Sequence, residues 1–378
     1  MSSLGSTLLR MAFSAVSLTG ITGNILICLI VLLNKTMKTP MNYLLCNLAI
    51  SDTLLLVLFS PLYIFQGTFQ HPQGAEGRAL CATVTGGTLA WTCGYASAYF
   101  LVAIAVERYF AVTKPCEPGR RITKKKLRWI VAGCWFGALS WNSVGFAVWG
   151  YDADSGFCKE DWPHKNSPKI YSSLSLLVVG ALPVCTMFFL YSCVVHKLWF
   201  TGENPSGFAQ FAALKMRKKV TSIVLAVSVV YTLCWIPELS IFVTSVFNPA
   251  VVKGNIAYPA VVAMVTVNSA INPIIYCFHS GKFRRHLVKL LRCGRAKSCD
   301  LRDLHEMHSG NTQDACVGVH RERRYECEKC EKKFTTLRGM SFDRPFEKKG
   351  YKYDNFGKCF GQPNNMGCNL LAHAEVNP

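Results

Sequence analysis

Seven stretches of this chain are long enough and apolar enough to cross a lipid bilayer. A membrane-spanning helix needs about 20 mostly apolar residues, and the only charged residues within the seven stretches are Asp52 and Glu238. The stretches, numbered spans 1 to 7 in chain order, are Met11–Leu33, Leu44–Phe65, Leu80–Val106, Trp129–Gly150, Ile170–Val195, Val220–Phe247 and Ile256–Phe278. Because backbone groups in hydrocarbon must bond within their own segment, each stretch is expected to be helical. The sequence therefore predicts an all-α membrane protein with a seven-transmembrane helix bundle.

The charged residues are few, and they lie between the apolar stretches. They make up 17% of the chain, and 41 Lys and Arg face 22 Asp and Glu, for a net charge of +19; soluble proteins have about 25% charged residues. This segregation excludes a soluble enzyme and argues against a nucleic-acid-binding protein, whose basic residues would line one soluble surface. A channel or transporter would carry rows of intramembrane charges or repeated broken helices. An enzyme within the membrane would need a cluster of acidic and His residues, but the spans contain no His. We therefore predict that the protein is not an enzyme.

The basic residues are concentrated in the loops on one side of the predicted bundle. These are the loops after spans 1, 3 and 5 and the segment after span 7. Because Lys and Arg stay on the cytoplasmic side, the N-terminus is predicted to be extracellular and the C-terminus cytoplasmic, in a multi-pass protein of the plasma membrane. The predicted divisions are a short extracellular N-terminus (1–10), the bundle (11–279), a juxtamembrane helix (280–293) and a cytoplasmic tail (294–378).

The juxtamembrane segment has the pattern of an amphipathic helix on the inner leaflet. Apolar residues recur at helical spacing with basic residues between them, at Phe283, Leu287, Leu290 and Leu291. Cys293 at its end is a candidate for S-palmitoylation; the alternative is an inert cysteine. The tail beyond it is polar and lacks periodicity, so it is predicted to be disordered. Its Cys327 and Cys330 are spaced as in half of a zinc finger, but the two histidines are missing at their spacing, and no zinc site is predicted.

Several polar residues lie deep within the spans, where they are costly and need a partner or a function. They are Asn24, Asp52, Asn268 and Asn272. Either they bond to one another between helices, or they hold a cation beside Asp52 with oxygen ligands from Ser97 and Ser269. The residues alone leave both readings open.

Other motifs stand at the inner ends and centres of spans. Glu107-Arg108-Tyr109 directly follows the inner end of span 3, where an Arg usually extends to the interface. Spans 5, 6 and 7 each contain a proline, Pro183, Pro237 and Pro273, which removes a backbone hydrogen bond and favours a kink.

Together these motifs resemble the rhodopsin-like (class A) G-protein-coupled receptors. The resemblance covers residues 11–293, with motifs in order in every span. They are Gly23-Asn24, Asn47 to Asp52, Glu107-Arg108-Tyr109, Trp135, Pro183 with Tyr191, Cys234-Trp235-Ile236-Pro237 and Asn272-Pro273-Ile274-Ile275-Tyr276.

The resemblance implies a two-state switch. Arg108 would pair with Glu107 at rest and swing toward Tyr191 and Tyr276 when the inner half of span 6 moves outward. That movement would open a cleft for a heterotrimeric G protein, with arrestin and receptor kinase as further partners. Trp235 would sense the ligand above Pro237. The polar residues around Asp52, named above, would form a pocket for an allosteric sodium ion, and no other metal or cofactor is implied.

The resemblance also implies a disulfide between Cys81 and Cys158. Cys81 lies two residues further from Arg108 than is usual in the family, so the register of the outer part of span 3 stays open. Two further departures bear on the switch. Tyr231 stands where the family usually has Phe. Arg217 stands at the base of span 6, where some members have an acid that pairs with Arg108, and this predicts basal signalling.

The sequence narrows the ligand class. The position that carries the retinal lysine in opsins is Thr266, so retinal is excluded, and Ala90 stands where amine receptors have an Asp. The segment Phe157–Pro163 resembles the second outer loop of the neuropeptide FF and orexin receptors. This favours an amidated neuropeptide as the extracellular ligand; the alternative is a small amine or another small molecule.

Glu238 is the leading candidate for ligand binding. It lies one turn outward from Trp235, and we expect it to pair with a ligand cation, such as an arginine near an amidated peptide end. The alternatives are a hydrogen bond within the bundle or protonation in place. Trp91, Tyr95 and Tyr258 are candidate aromatic residues of the pocket, and ordinary packing is the alternative for each.

Overall fold

The computed structural model describes residues 3–65, 71–114, 117, 122–201, 208–251, 257–281, 283–290, 323–326 and 333–336. Seven of its helices or helix runs are long and apolar enough to cross a membrane, which confirms the predicted seven-helix architecture. Spans 1 to 7 have the bounds Arg10–Leu33, Pro40–Ile64, Gly74–Thr113, Lys124–Val148, Ser167–Phe200, Gln210–Phe247 and Ala257–His279.

The helices of the bundle extend beyond most of the apolar stretches. In chain order they are α1 Ser3–Leu33, α2 Pro40–Ile64, α3 Gly74–Leu80, α4 Thr88–Thr113, α5 Lys124–Asn142, α6 Val144–Val148, α7 Ser167–Ser175, α8 Leu182–Val195, α9 Phe208–Phe247 and α10 Ala257–His279. Capping explains two of the starts. Thr39 accepts a hydrogen bond from the backbone of Asn42 ahead of α2, and Thr123 accepts one from Lys126 ahead of α5.

Span 3 is not one unbroken helix, although the sequence predicts one. Cys81–Thr85 forms a π-helical turn, and Gly87 adopts a left-handed conformation with φ of 85°, which favours glycine. Gly86 is also required, because a Cβ there would lie 2.4 Å from the carbonyl oxygen of Cys81. A π-turn holds more residues per turn than an α-turn. These irregularities accommodate the longer spacing between Cys81 and Arg108.

Span 4 ends at Val148, two residues before the end of its apolar stretch. Trp149–Asp152 instead forms strand β1, which pairs antiparallel with strand β2, Phe157–Glu160. A disulfide between Cys81 and Cys158 ties this hairpin to the outer end of span 3, so the predicted pairing is present. The hairpin needs its ladder of backbone bonds, and that requirement ends the helix early.

Small residues let span 1 pack closely on its neighbours. A Cβ added at Gly23 would lie 2.7 Å from the ring of Pro273 in span 7, and one at Gly20 would lie 2.5 Å from Leu56 in span 2. Close backbone approach through small residues is typical of membrane helix interfaces. Apolar residues are exposed on the outer surface of spans 4 and 5, for example Phe136 and Phe188, of which 74% and 75% are accessible. Such a belt is suited to lipid.

The juxtamembrane segment is helical over residues 283–290. Phe283 is buried, and Leu287 and Leu290 pack against the core of the bundle, whereas Arg284 and Arg285 are exposed. This is the predicted amphipathic arrangement. Leu291 and Cys293 lie outside the described residues, so lipidation stays a prediction.

The structure describes one element of the tail. Strand β3, Arg323–Glu326, pairs antiparallel with strand β4, Lys333–Thr336. The rest of 294–378, including Cys327 and Cys330, lies outside the described residues, so the disorder predicted for it stays a prediction.

Candidate functional site

The outer half of the bundle encloses a cavity of about 560 Å³, a volume that includes its open mouth. Spans 3 to 7 and the β1–β2 hairpin form its walls, and half of the lining residues are aromatic. The structure brings the four predicted ligand residues, Trp91, Tyr95, Glu238 and Tyr258, to this one cavity. It is also lined by Thr88, Asn142, Val144, Gly145, Val148, Trp149, Glu160, Trp162, Tyr171 and Phe242.

Glu238 is a buried acid at the cavity wall. Only 4% of the residue is accessible, and among the described residues no side chain or backbone group forms a hydrogen bond or ion pair with it. One alternative raised by the sequence, a hydrogen bond within the bundle, is therefore not seen. A carboxylate enclosed without a partner is costly unless a ligand supplies one.

Glu160 is a second cavity acid, which the sequence reasoning missed. The indole Nε1 of Trp162 donates a hydrogen bond to its Oε2 at 2.7 Å. Burial raises the pKa of Glu160, and the Trp162 hydrogen bond offsets part of that rise. Strand alternation was the available signal. Side chains two residues apart lie on the same face of a strand. Glu160 therefore shares a face with Cys158, which is bonded to span 3, whereas Lys159 lies on the other face and is exposed.

A buried amide joins three spans beside the cavity. Asn142 donates from its Nδ2 to the backbone carbonyl of Thr88 and, at 3.0 Å, to the hydroxyl of Thr92. Its Oδ1 accepts a hydrogen bond from the hydroxyl of Tyr171 at 3.0 Å. With both ends of the amide bonded, this network fixes spans 3, 4 and 5 relative to one another.

Trp235 is fully buried and packs against Trp91 and Tyr95, two residues that line the cavity. Its ring contacts Trp91, Tyr95 and Tyr231, with centroid distances of 6.1, 6.0 and 5.7 Å. Gly94 provides the space for it, since a Cβ there would lie 2.5 Å from Cη2 of Trp235. Two residues of the cavity wall, Trp91 and Tyr95, are therefore in direct contact with the Trp235 ring.

Tyr231 links span 6 to span 5 through a hydrogen bond. Its hydroxyl donates to the carbonyl oxygen of Val179 at 2.6 Å. Pro183 lies four residues after Val179 and has no N–H for that carbonyl. Leu176–Ala181 is also π-helical. The family's usual Phe at position 231 would lack this donor.

Span 7 has a similar arrangement at Pro273. The carbonyl four residues earlier belongs to Ser269, and Asn24 of span 1 donates to it at 2.9 Å. For Pro237 of span 6, the corresponding carbonyl is that of Leu233. Within the ranges that the structure describes, no side chain donates to it. Two of the three proline sites therefore have a cross-helix donor.

The predicted polar cluster forms around Asp52, which is fully buried. Asp52 Oδ1 accepts hydrogen bonds from the hydroxyls of Ser97 at 2.9 Å and Ser269 at 3.0 Å. Its Oδ2 accepts one from Nδ2 of Asn272 at 2.7 Å. Ser51, which the sequence reasoning missed, lies 2.7 Å from the Ser97 hydroxyl.

Asn24 and Asn268 are not direct partners of Asp52. Asn24 reaches the cluster only through the Ser269 backbone, and no bond joins Asn268 to Asp52 in the described part of the chain. Neighbouring residues on a helix point about 100° apart, and Ser269 is the one that faces the carboxylate. The amide oxygens of Asn24, Asn268 and Asn272 are buried and have no hydrogen-bond partner among the described residues.

At the inner end of span 3, Arg108 forms an ion pair with Glu107. Tyr191 and Tyr276, toward which Arg108 is predicted to swing, are both buried, with 2% and 5% of each residue accessible. Arg217 forms no ion pair within the described residues. Tyr109 packs against a small apolar cluster of spans 3 and 5.

Among the described residues, one group has the composition of a metal site. The ligand atoms of His71, Cys81 and Cys158 lie within 4.8 Å of one another. However, the two cysteines are joined as a disulfide, so the thiolates that bind metal are absent. His71 instead packs on Tyr151, with ring centroids 5.4 Å apart.

Known proteins resemble this chain over most of the bundle. Residues 23–276 match the family described as 7 transmembrane receptor (rhodopsin family). The QRFP-like peptide receptor of Branchiostoma floridae is 26% identical over 297 residues, which are 73% of this chain and 75% of that protein. The substance-K receptor of Rattus norvegicus is 28% identical over 292 residues, 75% of this chain and 73% of that protein. The RYamide receptor of Drosophila melanogaster is 29% identical over 300 residues, 75% of this chain and 63% of that protein.

Proposed function

The chain belongs to the rhodopsin family of seven-transmembrane receptors and resembles its neuropeptide receptors, and from this premise we propose that it is a plasma-membrane receptor for an amidated neuropeptide. Its N-terminus is extracellular and its C-terminus cytoplasmic. The agonist enters the outer cavity, and the active state couples to heterotrimeric G proteins. Receptor kinase and arrestin act on the same state.

The observation that carries the proposal is the unpartnered carboxylate of Glu238 in an aromatic cavity next to Trp235. An arginine of the peptide pairs with Glu238, and the neighbouring rings of Trp91, Tyr95 and Tyr258 favour a cation and an aromatic side chain. A ligand shifts a two-state equilibrium only if it binds one state better. Contact through Trp235 supplies that difference, because the Trp235 ring is part of span 6.

The response at the inner end follows from the same contacts. Displacement of Trp235 moves the inner half of span 6 outward from Pro237. Arg108 then leaves Glu107 for Tyr191 and Tyr276, whose buried hydroxyls have no hydrogen-bond partner among the described residues. The opened cleft receives the G protein.

A sodium ion beside Asp52 stabilises the resting state. The donor set suits it, because sodium prefers oxygen ligands, and Asp52, Ser97 and Ser269 offer a carboxylate and two hydroxyls. The buried amide oxygens of Asn268 and Asn272 without partners are further candidates. We expect sodium to raise the unfolding temperature of the purified receptor, and Asp52→Asn to abolish that rise; an equal rise in both proteins would contradict the sodium site.

The main test is G-protein dissociation in transfected cells exposed to a panel of amidated peptides and biogenic amines. We expect a response to a peptide that ends in an arginine, an aromatic residue and an amide, with lower potency for Glu238→Gln at equal surface expression. The matched control is Asp161→Asn, an exposed acid outside the cavity. A response to amines alone would overturn the peptide proposal and make Glu238 the counter-ion of an amine. Unchanged potency of Glu238→Gln would remove its proposed role.

A further inference from the structure

The outer cavity contains two carboxylates and no cation. Glu238 of span 6 and Glu160 of strand β2 both line it, and its lining includes no Lys, Arg or His among the described residues. Tyr258 lies within electrostatic reach of both acids. The two carboxyl groups therefore face one small space, half of whose lining residues are aromatic.

The nearby basic residues of the outer surface do not neutralise these acids. Lys159 precedes Glu160 on the strand and is exposed, and Lys169 lies over the ring of Phe247, 5.3 Å from its centroid. Neither forms an ion pair with Glu160 or Glu238 in the described part of the chain. Trp162 donates to one oxygen of Glu160, which leaves the other oxygen available.

When both acids are ionised, a ligand with a single cation leaves this cavity with a net negative charge. Charges in a low-polarity enclosure interact strongly, and a carboxylate without a partner is costly there. The aromatic lining also favours cations, because the ring faces of Trp149, Trp162 and Tyr258 carry negative potential. The composition of the cavity thus fits two positive charges better than one.

We propose that the ligand presents two cationic groups to the cavity, one for Glu238 and one for Glu160. This rests on the proposed pairing of Glu238 with a ligand arginine and adds a second cationic subsite at Glu160. The second group is an amine or a second basic side chain close to the arginine. Glu160 thereby sets the preference of the receptor for a doubly basic peptide segment.

Three small probes separate the two charges. Arg-Phe-amide carries a guanidinium and a free α-amine. Its N-acetyl form keeps only the guanidinium, and citrulline-Phe-amide keeps only the amine. Binding of each probe to the purified full-length receptor is measured directly at up to millimolar concentration for wild type, Glu160→Gln, Glu238→Gln and the control Asp161→Asn. Because Gln keeps an oxygen for the Trp162 hydrogen bond, Glu160→Gln is expected to fold, and thermal unfolding verifies this.

The expected result is a charge-specific coupling. Acetylation should weaken binding to wild type and Asp161→Asn by at least about tenfold, which is the scale of a hydrogen bond to a charged group, and change binding to Glu160→Gln by less than about threefold. An equal loss on wild type and Glu160→Gln would overturn the second subsite. The second subsite would also be wrong if acetylation had little effect on binding to Asp161→Asn, because the loss would then follow from removing any acidic charge near the cavity.

The probes also distinguish failure of this inference from failure of the proposed function. If citrulline substitution weakens binding to wild type but not to Glu238→Gln, the guanidinium pairs with Glu238 whatever happens at Glu160. If no probe binds to a folded wild-type receptor, both the arginine pairing and the second subsite are wrong.

Discussion

Replacing Tyr231 with Phe removes a single hydroxyl, the one that donates to the Val179 carbonyl across spans 5 and 6. The bond joins span 6, which we propose moves on activation, to span 5, so outward movement of span 6 would break it. Its loss should therefore destabilise the resting state and leave the active state unchanged. Tyr231→Phe is expected to raise basal signalling.

The size of the effect follows from the value of one bond. A neutral hydrogen bond contributes about 1 kcal/mol net, which corresponds to roughly a fivefold change in the resting-to-active equilibrium. Pro183→Ala restores an N–H four residues after Val179, so that carbonyl regains a backbone donor. In the Pro183→Ala background, Tyr231→Phe should change basal signalling by less than about twofold, because the two substitutions act on the same carbonyl and their effects do not add.

The assay is ligand-free G-protein dissociation in transfected cells, normalised to surface expression. Tyr99→Phe is the matched control, because its hydroxyl forms no hydrogen bond within the described residues. Basal signalling of Tyr231→Phe at or below the wild-type level would refute the reasoning. So would an equal effect of Tyr231→Phe with and without Pro183→Ala, because the bond would then be independent of the missing backbone donor.

Three further predictions concern the contacts around this switch. Gly94→Ala places a Cβ against Trp235 and should lower the free energy of unfolding by about 1–3 kcal/mol, which thermal unfolding measures. The same substitution should reduce agonist potency. Arg217→Glu gives Arg108 an acidic partner and should lower ligand-free signalling by roughly twofold to fivefold, the scale of a partly exposed ion pair. Burial raises the pKa of Glu160. The protonated side chain therefore contributes its full stability at a pH below the pKa of an unfolded carboxyl, and that contribution is lost as the pH rises through the pKa of Glu160 in the folded protein. Over that rise, the unfolding temperature of wild type should fall more than that of Glu160→Gln.

Each of these predictions has a control within the chain. Gly133→Ala adds a Cβ where no atom lies within 4 Å, and it should leave stability unchanged; a loss equal to that of Gly94→Ala would argue against the Trp235 contact. Lys215→Glu makes the same charge change at an exposed site. If it lowered basal signalling as much as Arg217→Glu, the effect would be one of general charge. Parallel pH curves for wild type and Glu160→Gln would show that the pKa of Glu160 is the same in the folded and unfolded states, and would contradict the prediction.

The spans were predictable because hydrophobicity is a property of each stretch by itself. An uncharged run as long as Ile170–Val195 has few alternatives to a membrane helix. The ends were less predictable. Trp149 and Gly150 are as apolar as the residues before them, but pairing with Glu160 and Lys159 makes them strand. The partner strand is close in the sequence, but hydrophobicity alone does not distinguish a helix end from a strand there.

In the candidate site too, some residues could be identified from their own stretch of sequence and others only from the folded structure. Glu238 stood out because a charge inside an apolar run is visible in the sequence alone. Glu160 lies in a polar loop where acids are ordinary, and its alternation with Cys158 and Lys159 points to the cavity only once the hairpin is known. Asn268 and Ser269 are adjacent, and the sequence could not determine which of them faces Asp52, because that depends on the rotation of span 7 against span 2.

Pro183, Pro237 and Pro273, taken one from each of spans 5, 6 and 7, have a mechanical consequence. For one helix to move on activation, the helices beside it must bend less than it does. At Pro183 and Pro273, Tyr231 and Asn24 of neighbouring helices donate hydrogen bonds to the carbonyls that the prolines leave without a backbone donor. These inter-helix hydrogen bonds should stiffen spans 5 and 7 against bending. At Pro237 no such hydrogen bond is present among the described residues, so thermal fluctuations of the bundle should be largest as bending of span 6. We expect a push on Trp235 to be converted into motion of that helix, because it is the most compliant of the three.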